Sequence, residues 1–487
     1  MSFWQRVLQK DSVEHYIQGD QKLTPFLDGK DLVLMGVGAV IGTGIFIIPG
    51  TVSATTTGPA IVISFFLAAA LCSLAGMAYS ELTSAMPVAG SAYTYGHILY
   101  GEGIGWLLGW VLVLEYILAI AAVATGWSAY FSFFVKPFFT MPTAINGAFD
   151  PGHGSFINLP AVVIILLVGW LMLRGKQVSR RVQDIMVLMK IGIILLFIVV
   201  GFFYIKSANY TPFIPPRAHG AFGVQGIFAG TALVFYSFLG FDSISSSAAE
   251  VKNVKRNMPI GIFGTLAVVV ILFSLVGFVL NGMVNYTHLN ISDPIAYALN
   301  LVGQPVVAYM ITIGALVGMF TSLTAMTFAG SRLIYAMGRD CLLPPALGKV
   351  DDKTGLPKNA LITVVICIAA VAGVVPLGEL TSLVNIGTLL AFVFVSGGII
   401  LLRRNKKIVN NGYKMPLVPL LPIISAGFSI YLITQLQKTT LIASAIWFVI
   451  GIIVYLLYGI KHSRMNDLPS PVNGIRSRND ELTEPLN

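Results

Sequence analysis

Charge is what this chain has least of: only 10% of its 487 residues are Asp, Glu, Lys or Arg. A soluble domain carries about a quarter, so a soluble enzyme or binding module is excluded. Cysteine is almost as scarce. Cys72 and Cys367 lie in apolar segments and Cys341 in a loop, a spacing that supports neither a disulfide framework nor a cysteine metal site. Histidine does not cluster either: His97, His153, His219 and His288 are scattered through loops, unlike the catalytic face of a membrane enzyme. No ring of like charges or pore-lining repeat marks a channel. No cleavable signal peptide is legible in the first 30 residues, which are polar and charged, so the first apolar segment is expected to serve as its own targeting signal. What remains is hydrocarbon. Apolar residues make up 56% of the chain and the mean hydropathy is +0.82.

Apolar runs of about 20 residues, the length that crosses a bilayer, recur along the sequence. They predict twelve spans at 32–55, 59–85, 103–134, 157–173, 182–205, 223–249, 259–284, 301–336, 360–376, 379–402, 416–436 and 440–460. Both termini then lie on one side. With that side cytoplasmic, the inner segments collect most of the Lys and Arg, and only Lys136, Lys206, Arg217 and Lys438 fall outside. The positive-inside rule thus accounts for the formal charge of +9 without a nucleic-acid partner. The expected organisation is a cytoplasmic arm (1–31), two blocks of five spans (32–205 and 223–402), spans 11 and 12 (403–462) and a disordered cytoplasmic tail (463–487). Phe3, Trp4, Val7 and Leu8 in the arm have the spacing of a short helix on the membrane surface. Residues 88–95 read as a loop or short helix at the inner face, and a lid helix is expected after Pro294.

Two spans are spoiled by glycine. The first carries Gly36, Gly38, Gly42 and Gly44, and Gly42-Thr43-Gly44 is where its helix should unwind, since glycine costs a helix interior roughly 1 kcal/mol against alanine. Close packing through small residues is the competing explanation of such glycines. The sixth span starts apolar and changes character at Gly240, with Asp242 and a run of serines following inside the membrane. The two interruptions are about 200 residues apart and open successive five-span blocks, and an odd number of spans turns the second block upside down. Interrupted helices at matching places in inverted halves point to a secondary transporter with its site near the midplane. The expected fold is therefore an all-α membrane protein, a 5+5 inverted repeat with broken helices 1 and 6, plus helices 11 and 12.

A free amino acid has a carboxylate and an ammonium. The exposed N–H groups of Thr43, Gly44 and Ile45, with the Thr43 hydroxyl, suit the carboxylate. Carbonyls where the first half of span 6 ends, near Tyr236, Ser237 and Leu239, suit the ammonium. Asp242 either caps the second half of that span or faces the ligand, and capping is the preferred reading.

The motifs Gly38-Ala-Val-Ile-Gly-Thr-Gly-Ile-Phe46, Gly240-Phe-Asp242, Glu250-Val-Lys-Asn253 and Met258-Pro-Ile-Gly261 resemble the amino acid–polyamine–organocation superfamily. Arg332-Leu-Ile-Tyr-Ala-Met337 and Asn385-Ile-Gly-Thr-Leu-Leu-Ala391 resemble its cationic amino acid transporter branch and the bacterial permeases grouped with it. The resemblance covers residues 30–405. It implies that the two breaks clamp the substrate backbone, with no cofactor and with amino acid, protons and lipid as the partners. It also implies that a lysine on span 5 stands where sodium-coupled relatives hold sodium.

Lys190 is that lysine, about 12 Å along its span from the inner end at roughly 1.5 Å per residue. By the glycine register its surroundings would be the carbonyls of Gly38 and Ile41 and the hydroxyl of Thr321 or Ser322. An ammonium there leaves no room for sodium, so proton coupling is expected, with exchange or uniport as the fallback. Glu115, deep in span 3, is expected either to pair with Lys190 and pass it a proton or to form a static tie between helices. Glu81 reads as structural. Small and apolar stretches expected to line the pocket, 121–124, 235–238 and 313–320, favour neutral aliphatic amino acids, branched-chain or alanine-like. A lysine or arginine transporter, or an exchanger, is the alternative, and a non-transporting sensor is the rival class. If the source is bacterial, the location is the cell membrane, multi-pass with both termini cytoplasmic.

Overall fold

The computed structural model describes residues 6–11, 13, 16, 27–88, 90–174, 180–218, 222–246, 248–351, 356–405, 408 and 410–467. Phe3, Trp4 and most of the expected tail lie outside the described residues. Among those described the protein is helical, with only isolated bridges such as Leu27 to Val251 in place of strands.

The first broken segment runs through α1 (Gly29–Val40), α2 (Thr43–Phe46) and α3 (Ile48–Val52). α1 starts at a capping box: Asp28 accepts from the N–H groups of Lys30 and Asp31, and Asp31 accepts from the N–H of Asp28. Then come α4 (Ile61–Ala85), the short α5 (Ser91–Leu99) and the 34-residue α6 (Glu102–Val135). α7 (Leu159–Leu173) and α8 (Arg180–Phe202) follow. The second broken segment comprises α9 (Gly223–Val234), a 3-10 turn at Phe235–Phe238 and α10 (Ser243–Ser246). The chain continues through α11 (Val254–Met283), α12 (Pro294–Leu301) and α13 (Pro305–Arg339). It closes with α14 (Lys358–Val374), α15 (Leu377–Arg404), α16 (Leu420–Thr434) and α17 (Lys438–Val454).

Among the described residues eight helical stretches are long and apolar enough to cross a membrane, and α7, α14 and α16 are shorter apolar helices. Burial separates the centre from the rim. Of the apolar window within 223–245, 72% is buried inside the protein, against 28% for 184–202 and 22% for 438–462. An interrupted helix belongs at the centre, because unpaired main-chain groups are tolerable only where protein surrounds them. At the rim, Ile442, Ile446, Val449, Ile453 and Leu457 of the last helical stretch point outward, which suits lipid.

Polar braces tie helix ends together. Glu81 at the end of α4 receives two hydrogen bonds from Arg403 of α15, at 2.9 and 3.0 Å, and one from the Met415 N–H at 2.7 Å. Trp106 and Trp110 of α6 stack against Tyr455 and Trp447 in the last helical stretch, and their indole N–H groups donate to its carbonyls.

Candidate functional site

α1 stops because Ile41 turns extended (ψ 92°) and Gly42 follows at φ −131°, ψ −137°. The interruption is therefore Ile41-Gly42, one step before the expected Gly42-Thr43-Gly44: Thr43 and Gly44 already belong to the next helical turn. Gly42 has no side chain, and no side-chain cap covers the first N–H groups of α2. A second kink follows at Ile47 (φ −121°), with Pro49, which has no N–H to donate, in the first turn of α3.

The later break is built differently. α9 tightens into the 3-10 turn at Phe235–Phe238, Leu239 goes extended (ψ 142°), and Gly240 takes φ +106°, a left-handed conformation that a side chain resists. The four-residue α10 follows.

The two interruptions touch. A Cβ on Gly44 would lie 2.7 Å from the Ser237 Cα, so this glycine is explained by close approach rather than by unwinding. Ser237 Oγ donates to the Gly44 carbonyl at 3.0 Å, and Thr43 Oγ1 and Tyr236 Oη are hydrogen-bonded at 3.2 Å. Beside them lies a small cavity, lined from the breaks by Gly42, Thr43, Gly44, Tyr236 and Leu239, and by Ala39 and Val40. Ala119 and Val123 of α6 and Met326 of α13 close it. Ile45, wholly buried, and Ser237 support it from outside its lining. The expected α13 contribution from 313–320 is displaced by about two turns: Met326 lines the pocket, while Ile313 is exposed on the surface of α13. Of 121–124 only Val123 is in the lining, and none of the lining side chains is charged.

Lys190 of α8 is fully buried. Its Nζ donates to the carbonyls of Gly38 (3.0 Å) and Ile41 (3.1 Å) and to Ser322 Oγ (3.1 Å). These are carbonyls that the end of α1 leaves short of helical partners. Ser322 also donates to Ile41 at 3.0 Å, whereas Thr321 turns back to the Gly318 carbonyl of its own helix.

Glu115 does not pair with Lys190. No ion pair joins them among the described residues, because the three donors of the ammonium are directed at the neutral oxygens of Gly38, Ile41 and Ser322. Glu115 instead packs on α15, beside Gly387 and the Thr388 hydroxyl, and its Oε2 has no hydrogen-bond partner. Asp242 is 5% exposed, and its carboxylate is held by main-chain groups of the turn that opens α10, the position of a cap. A separate cavity is lined by Asp11, His97, Glu102, Asp340 and Ser463, where the two ends of the chain meet. There Glu102 accepts from Tyr455 Oη at 2.9 Å and from Ser463 Oγ, and that cavity shares no lining residue with the one at the breaks.

A family model for amino acid permeases matches residues 27–457. The chain belongs to the amino acid permease family. The permease is 44% identical over 448 residues to a methylthioribose transporter of Bacillus subtilis, spanning 92% of this chain and 96% of the relative. It is 39% identical to a branched-chain amino acid permease of the same organism, spanning 94% of this chain and 99% of the relative. It is also 37% identical to the vacuolar cationic amino acid transporter 4 of Arabidopsis thaliana, spanning 81% of this chain and 66% of the relative. Membership makes the permease a multi-pass membrane transporter rather than an enzyme.

Proposed function

We propose that this permease is a proton-coupled secondary transporter that takes up neutral aliphatic amino acids, branched-chain ones first, by alternating access. The observation that carries the reading is the meeting of two broken helices at one uncharged pocket. The free N–H groups at Thr43, Gly44 and Ile45 receive the substrate carboxylate. Carbonyls of the turn at Tyr236, Ser237 and Leu239 receive the ammonium, and Asp242 caps the turn behind them. The aliphatic side chain rests on Val123, Leu239 and Met326. Apolar lining argues against lysine and arginine, whose charge would lie buried without a counter-ion. The likeness to a branched-chain amino acid permease supports the same class.

Lys190 is the proposed proton carrier. Charged, it holds the inner half of the first broken helix through Gly38, Ile41 and Ser322; neutral, it loses that hold, and the helix is free to move. Glu115 is a second proposed protonation site, acting separately from Lys190. The proposed frame has twelve crossings. Blocks 32–205 and 223–402 form the inverted halves, spans 11 and 12 stand beside them, and both termini are cytoplasmic in the cell membrane.

A second reading rests on the 44% identity to a methylthioribose transporter. That thioether sugar has neither carboxylate nor ammonium, so it would use the pocket without the clamp. Purified permease in proteoliposomes separates the two. Labelled leucine should accumulate under an inward proton gradient and resist competition by methylthioribose. If no amino acid is taken up and methylthioribose is, the amino acid reading is wrong.

A further inference from the structure

The stretch Asn385-Ile-Gly-Thr388 of α15 lies outside the pocket lining, yet its asparagine is completely buried. Asn385 Nδ2 donates to the Ala232 carbonyl at 2.7 Å. Ala232 sits near the end of α9, where the α-helix tightens into the 3-10 turn and carbonyls fall short of their usual partners four residues on. The other half of the amide is unmatched: Asn385 Oδ1 is buried without a hydrogen-bond partner. Leucine has a similar shape and would avoid that cost of roughly 1–3 kcal/mol, so the amide is explained by its donation alone.

Seven residues on, two turns along the same face of α15, stands Phe392. Its ring meets Phe235 on one side of the break (centroids 5.4 Å apart) and Phe241 on the other (5.7 Å). Along the chain, Leu239 and Gly240 fall between those two phenylalanines. α15 therefore touches the interrupted helix before and after its break, by one hydrogen bond and two edge-on ring contacts.

We infer that α15 is the splint of this break and that Asn385 is a positioning residue for the ligand ammonium. By fixing the Ala232 carbonyl it sets where the turn begins, and so where the carbonyls at Tyr236, Ser237 and Leu239 point. This rests on the reading that those carbonyls take the ammonium. A hydrogen bond weakens steeply with misalignment, so a small rotation of the turn loosens the ammonium while leaving the apolar lining intact.

The test compares two ligands on reconstituted full-length permease: leucine and 4-methylpentanoate, which is leucine without its amine. Inhibition constants for both are measured against labelled leucine uptake, in the wild type and in Asn385→Leu. The expected result is a constant for leucine raised about tenfold, the loss of about one charged hydrogen bond, with the weak constant for 4-methylpentanoate unchanged. The ratio between the ligands falls accordingly. A residue that merely stabilised the fold would shift both constants together or lower only the maximal rate, and an unchanged ratio overturns the inference. If the wild type itself fails to distinguish the two ligands, the amino acid clamp falls first. Should Asn385→Leu fail to fold, Phe392→Leu takes its place: a fallen ratio supports the splint and an unchanged one overturns it.

Discussion

The two broken helices reach one pocket by opposite means. The first is interrupted by two residues and carries a twelve-residue helix before its break, fixed at its start by a capping box. Its loose carbonyls are gathered by a cation, Lys190, that comes from another helix. The second passes through a 3-10 turn into a helix of only four residues, and its loose carbonyl is gathered by a neutral amide, Asn385. A cation can lose its proton and its grip; an amide cannot. On the proposed function, the first break is the one that switches and the second the one that stays fixed.

The largest expected effect comes from removing the cation. Lys190→Met keeps an unbranched side chain, one atom shorter, but leaves the Gly38 and Ile41 carbonyls dependent on Ser322 alone. Accumulation of labelled leucine should cease to respond to an imposed proton gradient, while exchange of internal for external leucine persists. Gradient-driven accumulation in that variant would make the two breaks equivalent. Next is Gly44→Ala, whose Cβ would meet the Ser237 main chain at 2.7 Å. Forcing the breaks apart costs about 1–3 kcal/mol, and leucine binding by the purified protein should fall at least about tenfold. Gly240→Ala places a side chain at φ +106° and 3.2 Å from the Ala39 carbonyl carbon. The strain is about 1–2 kcal/mol, which should raise KM about tenfold and leave the proton response intact. Tyr236→Phe removes only the hydrogen bond to Thr43; a KM increase of about threefold is expected, in line with one neutral hydrogen bond.

Much of this was legible in the residues. Apolar runs outlined the helices, and the short helix expected after Pro294 is present as α12. Glycine marked both interruptions, because main chain that must unwind or turn left-handed announces itself locally. What glycine could not reveal was which of its two uses applied: Gly42 opens the helix, while Gly44 only makes room for Ser237. Depth could be counted along a helix at about 1.5 Å per residue, which located Lys190 and Glu115, but the direction a side chain faces depends on packing. Glu115 turned towards α15 for that reason, and Met326 took the place expected for 313–320. The hydrogen bond from Asn385 to Ala232 joins residues 153 apart, and no local pattern announces it.

On the proposed function, main chain at the two breaks holds both ends of an amino acid. Competition against labelled leucine tests it most directly, using 4-methylpentanoate, which lacks the ammonium, and 3-methylbutylamine, which lacks the carboxylate. Leucine should displace the label, and neither truncated ligand should do so at the same concentration. If either one competes as well as leucine, the end it lacks is not held, and the clamp is contradicted.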